Sequence, residues 1–348
     1  MNKKKVVILI IGLLLIGIIV SFLYFGNKKS EEPNNNTLID NNLQTNDNIQ
    51  IEKISTYNNP IVPEGFKKVE TDFASWKLDN GVPKGWNKGL VIEDDIGNQF
   101  VWIPVDLEKL EYHPYTGKEF RYNAKDLDIN SIEDKQILKY GGFYISRYEA
   151  GVAKAMQKRL KNISDKTNDV IDVPVSKKGI IPWNFISLRN AKINAESMYN
   201  DDIKSGLPTL KQWQYMMVWL DLCGYNVYVD SSSFGNYSNV NFKFSGFYSE
   251  DYGESYQYAE NKMKASTNMI LSTGATDRNM TNNIYDIAGN LWCYTNDYCP
   301  INENEILGYY CAGGHFDHKG DFFAAYNYNL KNTVPLEKVG FRIVLYLN

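Results

Sequence analysis

A long stretch of ordinary globular composition, from Ile61 to Asn348, restricts the fold of this chain more than any other feature. No low-complexity segment interrupts it, so roughly 290 residues are available to one hydrophobic core. Between residues 28 and 60 the chain is instead rich in Asn, Asp, Glu and Lys, and such a segment buries too little apolar surface to offset its ordering entropy. We therefore predict a disordered linker over residues 28–60 and one large domain over residues 61–348.

The first 27 residues have the pattern of a membrane anchor. The lysines Lys3–Lys5 precede an uncharged apolar run from Val6 to Gly26, and about 21 helical residues span roughly 30 Å, the thickness of a hydrocarbon core. No small-residue cleavage pattern follows, so an uncleaved anchor is favoured, with a cleaved signal peptide as the alternative. The lysine count on the two sides predicts a cell-membrane, single-pass protein in which residues 1–27 form the cytoplasmic tip and transmembrane anchor. The C-terminal domain then lies outside the cytoplasm.

Composition excludes one class of partner and leaves the others open. The net charge is −4, so no basic field is available for nucleic acid. Aromatic residues make up 14% of the chain. Tyr and Trp suit a loop-rich binding surface, and they suit the core of an irregular domain equally well. The four cysteines, of which Cys293, Cys299 and Cys311 are close in sequence, permit at most one bridge among these three.

Several short segments predict strands. Val91-Ile92 and Phe100–Ile103 flank the polar turn Asp94–Asn98 and predict a β-hairpin. Phe143–Tyr148 predicts a short aromatic strand, and Phe341–Leu347 predicts the last strand.

Two segments predict helices. Ser187 is placed to cap a helix with a single apolar face. The residues of that face are Leu188, Ala191, Ala195, Met198 and Tyr199. Thr209 and Gln212 form a capping-box pattern for a second helix, which Gly224 ends. Its predicted buried stripe consists of Leu210, Trp213, Met217 and Leu220. From Gly224 to Gly340 little periodicity is present, so we predict an α+β domain with much irregular structure.

A set of segments in fixed order carries a family resemblance. They are Gly142–Glu149, Pro182–Ser187, Gly206–Thr209 leading to Trp213, Asn283–Trp292, Gly313–Phe316 and Gly340–Arg342. Together they resemble the formylglycine-generating enzyme, or sulfatase-modifying factor, family. The resemblance covers residues 61–348 and implies a C-type-lectin-like fold. The plain structural interpretation gives Gly289, Gly313 and Gly314 positive φ or close backbone approach, makes Trp292 a core anchor, and makes Arg342 a buried donor to loop carbonyls.

The resemblance also tests for an enzyme. Active members of the family bind copper through two cysteines shortly after the Gly-Gly motif, and soft sulfur ligands select Cu(I). The matching positions fall near His318 and Phe323, and all four cysteines of this chain precede the motif. We therefore expect a pseudoenzyme without copper.

A structural calcium ion is a further implication of the resemblance. Its ligands are the side chain of Asp286 and the carbonyls of Gly289 and Leu291, and hard oxygen ligands in an irregular loop suit calcium. The acidic residue that completes the family's site is Cys293 here, so the site lacks one carboxylate. The alternative is that Asp286 caps its own loop.

The implied function is a membrane-anchored, non-catalytic binding module that recognises an envelope or extracellular ligand, either a glycan or a peptide. The predicted ligand-binding residues follow the Gly-Gly motif: His315, Asp317, His318, Phe322 and Tyr326. One alternative is an oxidoreductase-type enzyme with a non-cysteine metal site formed by His315 and His318 with Asp317 or Asp321. Another alternative is a ligand-binding protein diversified by a retroelement.

Overall fold

The computed structural model describes residues 51–107, 127–152, 169–199, 202–302, 305–331 and 334–348, with the backbone alone given for residues 299–302 and 305–307. Ile51–Asn348 form one compact unit, and residues 1–50 lie outside the described part of the chain. Ser55 Oγ donates to the Tyr140 carbonyl at 2.8 Å, and Trp102 Nε1 donates to the Tyr57 carbonyl at 2.8 Å. The hydrogen bonds of the described part thus include residues 55 and 57, and the predicted domain boundaries stay a prediction.

Three α-helices are present in the described residues, and each has a hydroxyl residue at its N-cap. They are α1 (Ile132–Tyr140), α2 (Leu188–Ser197) and α3 (Leu210–Leu222). Ser187 accepts from the Asn190 N–H at the start of α2, and Thr209 with Gln212 completes the capping box of α3. Both predicted helices are therefore confirmed with their caps. The four residues of the predicted stripe on α3 are all buried.

The central sheet has six antiparallel strands. In spatial order they are β1 (Phe66–Val69), β4 (Val91–Asp94), β5 (Gln99–Pro104), β6 (Gly142–Ser146), β17 (Val344–Leu347) and β7 (Ile203–Gly206). The predicted hairpin corresponds to β4 and β5, with Val91 opposite Val101. The predicted aromatic strand corresponds to β6, and the predicted last strand is confirmed over β17.

The remaining strands form smaller sheets. One has the order β15 (Asn327–Leu330), β14 (Glu305–Ala312), β13 (Trp292–Asn302) and β16 (Val339–Gly340). Another has the order β10 (Ile270–Leu271), β8 (Asn241–Ser249) and β9 (Gln257–Ala265). Two short hairpins pair β2 (Leu78–Asp79) with β3 (Val82–Pro83), and β11 (Met280–Thr281) with β12 (Ile284–Tyr285).

The four inner strands β4, β5, β6 and β17 are buried on both faces because their alternate side chains enter different cores. On β5, Val101 packs in one core, and Phe100 and Trp102 pack in the other. The buried stripe of α3, including Trp213, covers the first face, and Ala191 of α2 lies in the core on the second face. Trp213 of α3 also donates its Nε1–H to the Ala324 carbonyl at 2.9 Å, which fixes the loop that follows β14.

The predicted α+β class is wrong, since the described part is mainly β, with seventeen strands against three helices. The error lies between Gly224 and Gly340, where we expected irregular backbone. On β8, Phe242 and Phe244 are buried while Asn241 and Lys243 are exposed. That alternation with period two is the pattern of a half-buried strand, and it was present in the sequence.

The predicted single-pass membrane localisation is corrected by the helices of the structure. No helix among residues 51–348, as far as they are described, has the length and apolar character needed to cross a bilayer. The transmembrane helix expected ahead of the domain is therefore not part of the described fold. The run Val6–Gly26, on which that prediction rested, lies outside the described residues.

Candidate functional site

Trp292, the first residue of β13, is the base of an aromatic cluster. Its side chain is only 4% exposed. Tyr328 of β15 stacks on it with ring centroids 5.8 Å apart and an interplanar angle of 24°, and Tyr328 itself is 46% exposed. Tyr326 contributes a third ring, 6.0 Å from Trp292. Large rings from two strands thus form a supported aromatic surface that reaches solvent.

The loop after β14 adds two histidines to this surface. The ring centroids of His315 and His318 are 3.6 Å apart, and they lie 6.0 Å and 5.3 Å from the Trp292 ring. Phe322 stacks on His318 at 3.8 Å and lies 5.0 Å from Tyr326. The name Trp292 cluster is used below for six residues: Trp292, His315, His318, Phe322, Tyr326 and Tyr328.

The Gly-Gly motif makes the course of this loop possible. Gly313 and Gly314 have φ of 96° and 73°, which confirms the predicted positive values. A Cβ at Gly314 would lie 2.5 Å from the Phe322 carbonyl oxygen. The Phe316 N–H donates to the Asn290 carbonyl at 2.9 Å and ties the loop to the segment that precedes Trp292. Backbone contacts therefore fix the course of this loop.

Both histidines are neutral at physiological pH. Burial, followed by the charges of His318 and Lys338, lowers the pKa of His315 to about 2. Burial and Lys338 also lower the pKa of His318 to about 4. The Nδ1 of His315 accepts from the Asp317 N–H at 3.1 Å, so this nitrogen carries no proton in the neutral ring.

Asp317 lies at the rim of the cluster and is bound by two neighbours. Its Oδ1 accepts from Asn268 Nδ2, and its Oδ2 accepts from Lys338 Nζ at 2.8 Å. The Lys338 ammonium also lies 5.5 Å from the ring centre of Tyr252. The carboxylate therefore faces Asn268 and Lys338 rather than the two imidazoles. Within the described residues, no group of three or more His, Cys, Asp or Glu side chains is arranged to hold a metal ion.

The structure thus brings four predicted ligand-binding residues into contact: His315, His318, Phe322 and Tyr326. The fifth, Asp317, lies beside them. Sequence reasoning assigned Trp292 to the core alone and gave Lys338 no site role. Tyr328 belongs to the aromatic residues that the sequence places near the pocket, although it is not among the five predicted ligand-binding residues. The position of Tyr328 depends on the pairing of β15 with β14, where Tyr328 is opposite Cys311. Ligand binding by the five predicted residues stays a prediction.

Asp286 is held as a loop acceptor. Its carboxylate accepts from the Gly274 N–H at 2.8 Å and from Asn279 Nδ2 at 3.4 Å, and its φ is 55°. Gly289, with φ of 70°, donates its N–H to the Gly313 carbonyl at 2.7 Å, and Leu291 donates to Glu149 Oε1 at 3.2 Å. These contacts match the loop-cap interpretation of Asp286, and calcium binding by Asp286, Gly289 and Leu291 stays a prediction.

Arg342 connects this loop to the central sheet, as the sequence predicts. The side chain is 1% exposed. It donates to the Asp286 carbonyl at 2.8 Å, to the Tyr285 carbonyl, and to the Ser146 carbonyl at 3.2 Å. Its charge also lowers the pKa of Asp286 and of Glu149, although burial of the two carboxyls raises both values overall.

Cys223, Cys293 and Cys311 are free thiols, while the side chain of Cys299 lies outside the described residues. Cys293 packs in the core on one face of the central sheet and Cys311 in the core on the other. Burial raises the pKa of Cys293 to about 12 and raises that of Cys311 well above its ordinary value. Neither buried thiol is thus poised to ionise as a metal ligand or nucleophile.

Two cavities lie elsewhere. One of about 240 Å³ borders the end of α3 and includes Trp219 and Cys223, and one of about 350 Å³ borders Lys204 and Tyr346. No residue of the Trp292 cluster lines either of them.

No protein-family model and no curated protein matches this chain. Solved structures with similarity include CarF, with 18% identity, a TM-score of 0.39, and coverage of 60% of this chain and 87% of CarF. PvdO from Pseudomonas aeruginosa has 12% identity, a TM-score of 0.41, and coverage of 74% and 98%. Treponema denticola variable protein 1 has 12% identity, a TM-score of 0.37, and coverage of 72% and 96%. With TM-scores below 0.5, we draw no conclusion about fold or function from these similarities.

Proposed function

We propose that this protein is a non-catalytic binding module that recognises a glycan on the Trp292 cluster. The observation that carries the proposal is the stacking of half-exposed Tyr328 on buried Trp292. Such a ring is fixed before a ligand arrives, so little side-chain entropy is lost on binding. The apolar face of a sugar ring packs well against a flat aromatic face.

Polar groups at the rim supply the second half of a sugar site. Asp317, Lys338 and Asn268 form one hydrogen-bonded set beside the rings. Sugar hydroxyls both donate and accept, so a carboxylate, an ammonium and an amide together serve them. A few polar groups placed around an apolar surface are the usual composition of a small-molecule site.

The non-catalytic part of the proposal rests on the chemistry of the groups near the cluster. His315 and His318 have pKa values of about 2 and 4, too low for efficient general-base catalysis near neutral pH. The Cys311 thiol, opposite Tyr328 in the sheet, is fully buried with a raised pKa. The family resemblance supports the same conclusion, since His318 and Phe323 stand near the positions of the copper-binding cysteines. The proposal is therefore that the chain is a formylglycine-generating-enzyme-like domain without an oxidase site.

A glycan array probed with the whole chain tests this proposal. We expect binding to a subset of glycans, and we expect Tyr328→Ala to weaken that binding by at least about fivefold, since stacking on a fixed ring contributes on the order of 1 kcal/mol or more. Tyr298→Ala is the matched control. Tyr298 lies farther along β13, is 52% exposed, and packs its ring against that of Tyr309 on β14. Equal losses in the two variants, or binding to peptides in place of glycans, would contradict the proposal.

Enzymatic activity is tested separately. The purified chain should fail to convert the cysteine of a sulfatase-type peptide to formylglycine, with or without added copper. Conversion detected by mass spectrometry would refute the non-catalytic assignment and leave glycan binding to be judged by the array.

A further inference from the structure

A second exposed tyrosine lies near the Trp292 cluster. Tyr252, in the turn between β8 and β9, is 38% exposed, and its ring packs edge-on against buried Phe316 with ring centroids 5.5 Å apart. The Phe316 ring lies 5.7 Å from that of His315, a member of the cluster. Tyr252 therefore has the same kind of support as Tyr328, an exposed ring that packs on a buried one.

Lys338 lies between the turn that carries Tyr252 and the Trp292 cluster. Its ammonium lies 5.5 Å from the ring centre of Tyr252, and its carbonyl accepts from the Trp292 N–H at 2.9 Å. The half-buried side chains of Lys338 and Asp317 pair at 2.8 Å, and both reach solvent. In the part of the chain that the structure describes, the rings of Tyr252 and Tyr328 make no contact with each other, since each packs on a different buried ring.

The backbone holds Tyr252 in a conformation that a tyrosine rarely adopts. Its φ is 61°, and such strain persists only where the surrounding structure imposes it, often at ligand-contacting positions. Asn184, which is fully buried, donates to the Glu337 carbonyl at 2.9 Å and to the Tyr252 carbonyl at 3.5 Å. Because Glu337 precedes Lys338, this bridge fixes Tyr252 beside Lys338 before a ligand arrives.

We propose that Tyr252 and Lys338 form a second subsite, so that the protein binds an oligosaccharide whose sugar rings stack on both Tyr328 and Tyr252. The inference rests on the proposed glycan binding by the Trp292 cluster and adds the length and shape of the ligand. Sugar hydroxyls hydrogen-bond to Asp317 and Lys338.

The geometry of stacking restricts the class of sugar. A sugar ring packs flat on an aromatic face when its hydroxyls are equatorial, because its C–H groups then form an apolar face. Equatorial β-1,4 linkages keep a chain of such units extended, as contact with two separate rings requires. The ligand class is therefore a β-1,4-linked oligosaccharide of glucose or N-acetylglucosamine.

The dependence of affinity on chain length tests the second subsite. The probes are β-1,4-linked glucose and N-acetylglucosamine oligomers, from the monosaccharide to about six units, titrated into the whole chain by calorimetry. We expect affinity in at least one series to rise by at least about fivefold from the monosaccharide to the longest oligomer, since a second fixed ring adds stacking.

Three other outcomes separate this inference from the proposed function. Equal affinity at all lengths would overturn the second subsite and leave glycan binding intact. Binding of other glycans on the array but of neither series would overturn the ligand class in the same way. Absence of binding to every glycan on the array would refute the proposed function and this inference with it.

Variants assign the roles of the two exposed rings. Tyr252→Ala should weaken binding of the longest oligomer at least about fivefold and leave the monosaccharide unaffected, whereas Tyr328→Ala should weaken both. Tyr252→Phe keeps the ring and should retain the affinity. Tyr258→Ala is the matched control, because Tyr258 is exposed on β9 and packs edge-on against Phe247 at 5.4 Å, as Tyr252 does against Phe316. With circular dichroism confirming that each variant is folded, equal affinities of Tyr252→Ala and the parent protein for the longest oligomer would refute the subsite.

Discussion

Replacement of Arg342 by methionine should destabilise the domain more than any surface substitution. Arg342 donates to the carbonyls of Ser146, Tyr285 and Asp286 while it is almost completely buried. Each buried carbonyl that loses its donor costs about 1–3 kcal/mol, so three lost partners correspond to about 3–6 kcal/mol after partial relaxation. That loss is a large share of the roughly 5–15 kcal/mol that stabilises a typical domain.

Urea unfolding followed by tryptophan fluorescence measures this loss. Arg342→Lys keeps the charge but offers no planar fork of donors, so we expect an intermediate loss of about 2–4 kcal/mol. Arg189, exposed on α2, supplies the matched control, and Arg189→Met should stay within about 0.5 kcal/mol of the parent protein. If Arg342→Met lies within about 1 kcal/mol of the parent protein, the carbonyl contacts do not hold the loop and the reasoning fails.

Three further outcomes are expected. Thr209→Ala removes the N-cap of α3 and should cost about 1 kcal/mol in urea unfolding, with most of the loss restored by Thr209→Ser. Gly289→Ala should lower the free energy of unfolding by well over about 1–2 kcal/mol, because the new Cβ would lie 2.2 Å from the Asn236 carbonyl oxygen and the residue has a positive φ. Gly224 also has a positive φ but has open space around it, so Gly224→Ala should show the cost of the backbone strain alone. Burial lowers the pKa of Lys264 to about 8, so the folded chain loses this proton at lower pH than the unfolded chain. The free energy of unfolding should therefore rise between pH 8 and about 10.4, by up to about 1.4 kcal/mol per pH unit. If the difference in unfolding free energy between the parent protein and Lys264→Met stays constant over this range, the prediction is contradicted.

Sequence reasoning succeeded for residue types that strongly favour one structural position, such as a helix N-cap or a turn with positive φ. Hydroxyl residues ahead of an apolar stripe identified Ser187 and Thr209 as caps, and both helices begin there. Glycines in the motif identified backbone with positive φ at Gly289 and Gly313. Arg342 was identified as a buried donor to loop carbonyls, and it donates to three backbone carbonyls.

Sequence reasoning failed where long-range pairing decides the structure. The strands β13 and β14 are long, but register shifts near Tyr294 and Cys299 interrupt their pairing, so no simple alternation marks them. The surface at Trp292 likewise depends on β15, which reaches it across β14. The stacking of Tyr328 on Trp292 therefore could not be predicted from the residues around Tyr328. The alternation of buried and exposed side chains in β8 is present in the sequence, but it stands between Gly- and Asn-rich segments that suggested irregular backbone.

The placement of β17 has a consequence for synthesis on the ribosome. This strand lies between β6 and β7 in the central sheet, although every other strand of the sheet precedes it in the chain. Until residues 344–347 emerge, β6 and β7 each present an unpaired edge, and such edges favour intermolecular association. Pairing of β17 with both neighbours, through Val344 opposite Ile145 and opposite Gly206, therefore removes both exposed edges in one step.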